Sequence, residues 1–160
     1  MSRVISPEFV RFIQDQFLLD WRGIHGVAHW ARVRLNGLHL ARSNGANTVL
    51  VELLAFLHDC RRSNDGTDPA HGERAADFVR EINGRYFSLA RAELRDLEVA
   101  CRDHSAGYLQ ANTTVQTCWD ADRLDLGRIG TRLDPARLCT AEARRREVIR
   151  SAYQRSTAAW

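Results

Sequence analysis

Apolar residues in this chain recur at the spacing of helices. Near the N-terminus they form one stripe, made of Phe9, Phe12, Ile13 and Phe17. Ser6 followed by Pro7 is a start signal, because a capping residue precedes a proline at the first helical position. The pattern predicts a first helix from Pro7 to about residue 19.

Similar apolar patterns, bounded by turn residues, predict six more helices. Their approximate ranges are 26–43, 48–59, 68–83, 88–104, 112–126 and 135–154. No alternating stretch is long enough to predict a strand. The sequence therefore predicts an all-α protein of about seven helices.

The third predicted helix is apolar on nearly every face and is interrupted only by Glu52. Such a helix lies in the centre of its domain, yet this one ends in His58 and Asp59. A carboxylate at a buried position costs several kcal/mol unless a cation or hydrogen-bond donors meet it. A bound metal ion meets that need; the alternative is that Asp59 pairs with Arg61 or Arg62 at the edge of the core.

The second predicted helix carries a polar stripe beside an apolar one. The stripe recurs at steps of four, three, four and three, and consists of His25, His29, Arg32, Asn36 and His39. A polar stripe next to the core favours the lining of a cavity, and histidines four apart can reach one cleft. A lone histidine is more often a hydrogen-bonded core residue, but three on one face together with an arginine favour a site.

The sixth predicted helix contains three aspartates within six residues. Asp120 and Arg123 are three apart and share a face, whereas Asp122 and Asp125 are expected to point elsewhere. Clustered acids commonly form surface ion pairs. The neighbouring Trp119, however, indicates that this helix also packs inward.

These segments resemble the signature of the HD superfamily of metal-dependent phosphohydrolases. The matching stretches are H-W-A-R-V at 29–33, F-L-H-D-C-R-R at 56–62 and W-D-A-D-R-L-D-L at 119–126. The chain is similar to small stand-alone HD proteins that also carry HG-x-x-HW-x-RV, HD-x-RR and HG-x-R-A-A, here at 25–33, 58–62 and 71–76. The resemblance covers about residues 25–143.

The resemblance implies a single HD domain over residues 1–160, with the motifs in its core and a C-terminal helix and tail from about 144. It also implies four metal ligands, namely His29, His58, Asp59 and Asp120. Two imidazoles with carboxylates suit Mn, Fe, Co, Ni or Zn better than Mg. One ion is expected; a second ion on His71 and His104, bridged by Asp59, is the alternative.

The same resemblance implies hydrolysis of a phosphomonoester or phosphodiester of a nucleotide or similar small metabolite by metal-activated water. The expected catalytic residues are Asp59, Arg62, His71, His104 and Arg123. The expected substrate-binding residues are His25, Arg32, Arg62 and Arg123. His71 and His104 can instead be a general acid and a phosphate contact, or helix-end capping groups. The alternative function is a non-catalytic metal- and nucleotide-binding sensor on the same fold.

Composition narrows the possible partners. All 23 basic residues are arginines, so a catalytic lysine is excluded, while arginine suits phosphate groups. The basic residues are interspersed with 20 acidic ones, which disfavours nucleic-acid binding. The four cysteines lack C-x-x-C spacing and are expected to be free thiols. No apolar run is long enough to span a membrane and no signal peptide is recognisable, so a cytoplasmic location is expected. The sequence predicts no oligomeric state.

Overall fold

The computed structural model describes residues 4–158, which form seven α-helices and two short 3₁₀-helices and contain no β-strand. The α-helices are α1 (Pro7–Gln16), α2 (Val27–Asn44), α3 (Thr48–Leu57), α4 (His71–Ile82), α5 (Arg91–Asp103), α6 (Thr113–Arg123) and α7 (Arg146–Thr157). The 3₁₀-helices are Leu126–Ile129 and Pro135–Arg137. The predicted all-α fold class is confirmed. No helix in the described part is both long and apolar enough to cross a membrane.

Side-chain caps fix where three of the helices begin. Ser6 accepts a hydrogen bond from the Phe9 amide at 3.1 Å, and Asn112 accepts one from the Val115 amide at 3.0 Å. Asn47 caps α3 in the same way. Each cap satisfies an amide that has no partner within its own helix, which explains why the predicted starts of α1, α3 and α6 agree with the structure.

Helix α3 lies in the middle of the molecule and contacts α2, α5 and α6. Its Leu53, Leu54 and Leu57 are fully buried. Gly37 allows α2 to approach closely, since a Cβ there would lie 2.4 Å from Val51 Cγ1. The close packing brings the C-terminal end of α3 beside the polar face of α2.

Helices α4 and α5 pack against each other, and a glycine sets their spacing. A Cβ added at Gly72 would lie 2.4 Å from the carbonyl oxygen of Arg102, so only glycine permits this approach. Consequently the start of α4, with His71, lies next to the end of α5, with His104.

The prediction that the last helix begins near residue 135 was wrong, because α7 begins at Arg146. Between Pro135–Arg137 and α7 the chain is not helical. The amides of Cys139 and Thr140 donate to the Asp120 carboxylate, so they are not available for helical bonds to the preceding turn. Helix α7 packs against the 3₁₀-helix Leu126–Ile129.

Candidate metal centre

Four histidines and two aspartates converge where the ends of several helices meet. Their side chains lie together in the interior and belong to His29, His58, Asp59, His71, His104 and Asp122. His29 lies on α2, Asp122 on α6, and the other four at the end of α3, the start of α4 and the end of α5. Five of the six were predicted as site residues; Asp122 was not.

The first group of ligand atoms surrounds the Nε2 atoms of His29 and His58, which lie 3.0 Å apart. Asp59 Oδ2 lies 3.7 Å from each nitrogen. Asp122 Oδ1 lies 3.4 Å from His29 Nε2 and 3.6 Å from His58 Nε2. Two imidazole nitrogens and two carboxylate oxygens thus face one another.

The second group lies on the other side of Asp59. The Nε2 atoms of His71 and His104 are 2.9 Å apart. Asp59 Oδ1 lies 3.4 Å from His71 Nε2 and 3.6 Å from His104 Nε2. Each oxygen of Asp59 therefore faces a different pair of histidines.

All four imidazoles place Nδ1 against a hydrogen-bond acceptor. The acceptors are the Leu54 carbonyl for His58 (3.0 Å), the Cys101 carbonyl for His104 (2.7 Å), the Asp68 carbonyl for His71, and Asp125 Oδ2 for His29 (2.7 Å). A carbonyl only accepts, so Nδ1 carries the proton and, in a neutral ring, Nε2 keeps its lone pair. Metal-binding histidines are held in this way.

This arrangement leaves the lone pairs of each histidine pair pointing at each other, which a shared cation makes favourable. Two neighbouring nitrogens at 2.0–2.1 Å from one octahedral or tetrahedral ion are separated by about 2.8–3.4 Å. The Nε2 separations of 3.0 and 2.9 Å agree with that range. The donor atoms of both groups therefore fit divalent metal ions.

The surroundings keep the carboxylates of the centre ionised. Burial raises the pKa of Asp59, but the charge of His58 and the neighbouring His104 and His25 outweigh burial and hold that pKa well below its ordinary value. Burial also raises the pKa of Asp122, but the neighbouring His29 and His58 outweigh burial and hold that pKa well below its ordinary value. Both aspartates are therefore in the form that binds a cation.

The pKa values of two histidines in the centre are shifted in opposite directions. Burial lowers the pKa of His58, but Asp59 and Asp122 outweigh burial and raise it above its ordinary value. Burial, followed by the charge of His104, lowers the pKa of His71. His71 is consequently neutral at neutral pH, with the Nε2 lone pair available.

Asp120 does not belong to the centre, which corrects the sequence-based assignment. Its Oδ1 accepts from the Cys139 amide at 2.7 Å, and its Oδ2 accepts from the amide and hydroxyl of Thr140 at 2.8 and 2.7 Å. Burial raises the pKa of Asp120 despite these bonds. Its carboxylate connects the segment after Pro135–Arg137 to α6 and makes no ion pair with the histidines of the centre.

Asp125 and Arg32 hold the His29 ring in place. Asp125 was expected to point elsewhere, yet it is fully enclosed and accepts from His29 Nδ1. Arg32, a predicted substrate-binding residue, donates to both oxygens of Asp125 at 2.6 and 3.1 Å. The buried ion pair fixes the orientation of the His29 ring, and it engages the Arg32 guanidinium with Asp125 instead of with a substrate.

His25 and Arg62 both act on the central aspartate. His25 Nδ1 donates to Asp59 Oδ2 at 2.8 Å, and Arg62 Nε donates to Asp59 Oδ1 at 3.1 Å. The Nη1 atom of Arg62 donates to the carbonyls of Asn64 and Gly66. These contacts orient Asp59 and connect the following loop to it. Both residues were predicted to contact the substrate, but in the structure they bond Asp59.

A cavity of about 250 Å³ opens beside the centre and is lined by His104, Asp122, Arg123 and Arg137 among others. The Arg123 guanidinium donates to the carbonyls of Tyr108 at 2.6 Å and Arg137 at 3.0 Å, so it forms part of the cavity wall. The Arg137 side chain is exposed and has no ion pair within residues 4–158. The sequence offered no signal for Arg137.

Helical periodicity could have identified Asp122. The inward stripe of α6 contains Val115, Cys118 and Trp119, and Asp122 continues it at the i, i+3, i+4, i+7 spacing. The resemblance to the HD signature led instead to Asp120.

No protein-family model matches the chain, and no curated protein matches it. A similar solved structure is the crystal structure of a predicted HD superfamily hydrolase from an uncultured Thermotogales bacterium, which is 22% identical in sequence. The similarity covers 92% of this chain and 84% of that chain, with a TM-score of 0.70. The chain therefore has the HD-domain fold, as the motifs predicted.

Proposed function

We propose that the protein is a metal-dependent phosphohydrolase with two adjacent divalent ions. The observation that carries the proposal is the pair of facing Nε2 atoms in each histidine pair, with Asp59 offering one oxygen to each. Nothing in the ordinary packing of a helical core requires four buried imidazoles with their lone pairs directed at one another.

In this proposal the first ion is held by His29, His58, Asp59 and Asp122, and the second by His71, His104 and Asp59. Nitrogen and carboxylate ligands suit Mn, Fe, Co, Ni or Zn. The proposal departs from the single ion expected from sequence, because His71 and His104 have the same Nδ1 anchoring and Nε2 spacing as the first pair.

The bound ions would lower the pKa of a coordinated water and polarise a phosphoryl oxygen, which is the chemistry that hydrolysis of a phosphate ester needs. The chain contributes the rest. Asp122 and His104 line the cavity beside the centre, so a phosphate entering it meets the ligand groups directly. Arg137 borders the same cavity and supplies a cation for the non-bridging oxygens. A cavity of about 250 Å³ suits a small phosphorylated substrate.

Metal content and turnover test the proposal together. Protein purified without chelators is expected to bind about two transition-metal ions per chain, and His71→Ala about one. p-Nitrophenyl phosphate or its bis ester should be hydrolysed with Mn, Fe, Co, Ni or Zn, and His58→Ala should abolish turnover. His39→Ala is the matched control, since His39 lies beside α7 in a different cavity.

Unchanged metal content in both His58→Ala and His71→Ala would refute the metal centre. Full metal loading without hydrolysis of either ester, or of any nucleotide in a screen, would favour the sensor function over catalysis.

A further inference from the structure

A second cavity is a neighbour of the one beside the metal centre. Its volume is about 390 Å³, and it shares Leu133 with the smaller cavity. Ligand pockets usually have volumes of about 300–1,000 Å³. The cavity beside the metal centre falls below that range, whereas the second cavity lies within it.

Three arginines border the second cavity, and no acidic residue lines it. They are Arg132, from the segment between the 3₁₀-helices, and Arg146 and Arg150, one turn apart at the start of α7. All three side chains are exposed. Within residues 4–158 none of them makes an ion pair or a side-chain hydrogen bond. Most other arginines near the centre have an acidic or carbonyl partner, for example Arg32 and Arg62.

The floor of this cavity is apolar. Leu133, Pro135, Ile149 and Tyr153 line it, and the Tyr153 ring packs close to Gly127. A flat apolar body can stack on such a surface, while the guanidinium groups at the rim attract negative charge. Apolar floor and cationic rim together match a molecule that is apolar in its middle and anionic at its far end.

We propose that this arginine-rimmed cavity binds the distal part of the substrate, and that the substrate is a phosphate ester with a flat apolar body and a second anionic group. The inference rests on the proposed function, which places the scissile phosphate at the metal centre. The apolar body then passes over Leu133, and the second anion lies among Arg132, Arg146 and Arg150.

Binding calorimetry at fixed ionic strength tests the cavity without requiring turnover. The probes are hydroquinone bisphosphate, which carries a phosphate at each end of an aromatic ring, and phenyl phosphate, which lacks the second phosphate. The wild-type protein should bind the bisphosphate about tenfold more tightly, because a charge-assisted contact to the second phosphate adds to the shared ones. Arg150→Gln and Arg146→Gln should each reduce this preference to about twofold or less.

Arg95→Gln is the matched control, because it removes the same charge from an exposed residue of α5 that lies outside the cavity. Its preference for the bisphosphate should equal that of the wild type. Equal affinity of the wild-type protein for the two probes would overturn the inference, as would a full preference retained in both cavity variants.

The outcome is separable from that of the proposed function. Hydrolysis of p-nitrophenyl phosphate without any preference for the bisphosphate overturns the cavity assignment and leaves the phosphohydrolase standing. If the protein hydrolyses no ester but prefers the bisphosphate, and this preference depends on Arg146 and Arg150, the result supports the cavity assignment and refutes the proposed hydrolase activity.

Discussion

Replacement of Asp122 by asparagine removes a charged oxygen that lies 3.4 Å from His29 Nε2 and 3.6 Å from His58 Nε2. Loss of a group that merely orients a metal ligand costs 10–100-fold in metal affinity. Removal of a charged ligand itself should cost more, so we expect Asp122→Asn to weaken metal binding by more than about 100-fold. Titration against a fluorescent chelator measures this directly.

The same loss is visible in thermal unfolding. A ligand present at about 100 times its dissociation constant stabilises the folded state by about 2.7 kcal/mol. For a chain of this length each kcal/mol shifts the melting temperature by about 2–4 °C. Each bound ion should therefore raise the melting temperature of the wild-type protein by roughly 5–11 °C, and in Asp122→Asn the contribution of the first ion should fall to no more than about 2 °C.

Asp120→Asn is the matched control, two residues away on α6. It replaces an oxygen that accepts from Cys139 or Thr140 by an amide donor and leaves a buried group unpaired. We expect it to cost about 2 kcal/mol of stability without metal, yet to keep the full metal-induced rise. If Asp120→Asn loses the rise and Asp122→Asn keeps it, the assignment of the centre made here is refuted.

Three further predictions concern groups around the centre. Asp125→Asn should weaken metal binding about 10–100-fold in a chelator titration, whereas Glu52→Gln, in the half-buried pair with Arg34, should leave the affinity unchanged; equal effects of the two would contradict the role of Asp125. Gly72→Ala should lower the free energy of unfolding in urea by more than about 2 kcal/mol, because its Cβ would collide with the Arg102 carbonyl; a change below 0.5 kcal/mol would show that α4 and α5 can separate freely. Burial raises the pKa of Asp68, but bonds from its neighbours outweigh burial and lower it from 3.8 to about 2. The contribution of Asp68 to the free energy of unfolding should therefore be complete above about pH 4.5 and fade as the pH falls towards 2. A difference in unfolding free energy between the wild-type protein and Asp68→Asn that stays constant from pH 7 to 2.5 would contradict this prediction.

The helices that could be predicted are those with local signals. A capping serine or asparagine and an apolar stripe are contained in a few consecutive residues, so α1, α3 and α6 begin where the sequence places them. The start of α7 depends on a distant residue, since Asp120 binds the amides that would otherwise continue a helix. No local pattern records that contact.

The roles of the arginines show the same limit. Arg62 and Arg32 were expected to meet the substrate because of their position near the motifs. Arg62 instead donates to Asp59, and Arg32 to Asp125, which lies 93 residues away in sequence. A guanidinium is long and forms strong pairs with any carboxylate within reach, so its partner is decided by tertiary packing.

The four histidines of the centre also differ in whether their Nδ1 acceptor is near or distant in sequence. His58, His71 and His104 each bond a carbonyl three or four residues earlier, so the backbone at a helix end fixes each ring locally. Such histidines can be assigned from sequence once their helix ends are known. His29 lies in the first turn of α2, and the acceptor for its Nδ1 is a side chain 96 residues away rather than a carbonyl of its own helix. Asp125 supplies it. The first group of ligands is therefore complete only when α2 and the segment after α6 have docked, whereas the second group needs only α3, α4 and α5. Hence Asp125→Asn should weaken the binding of the ion at His29 and His58 and leave the ion at His71 and His104 bound. Measurement of the metal-to-protein ratio can detect this difference.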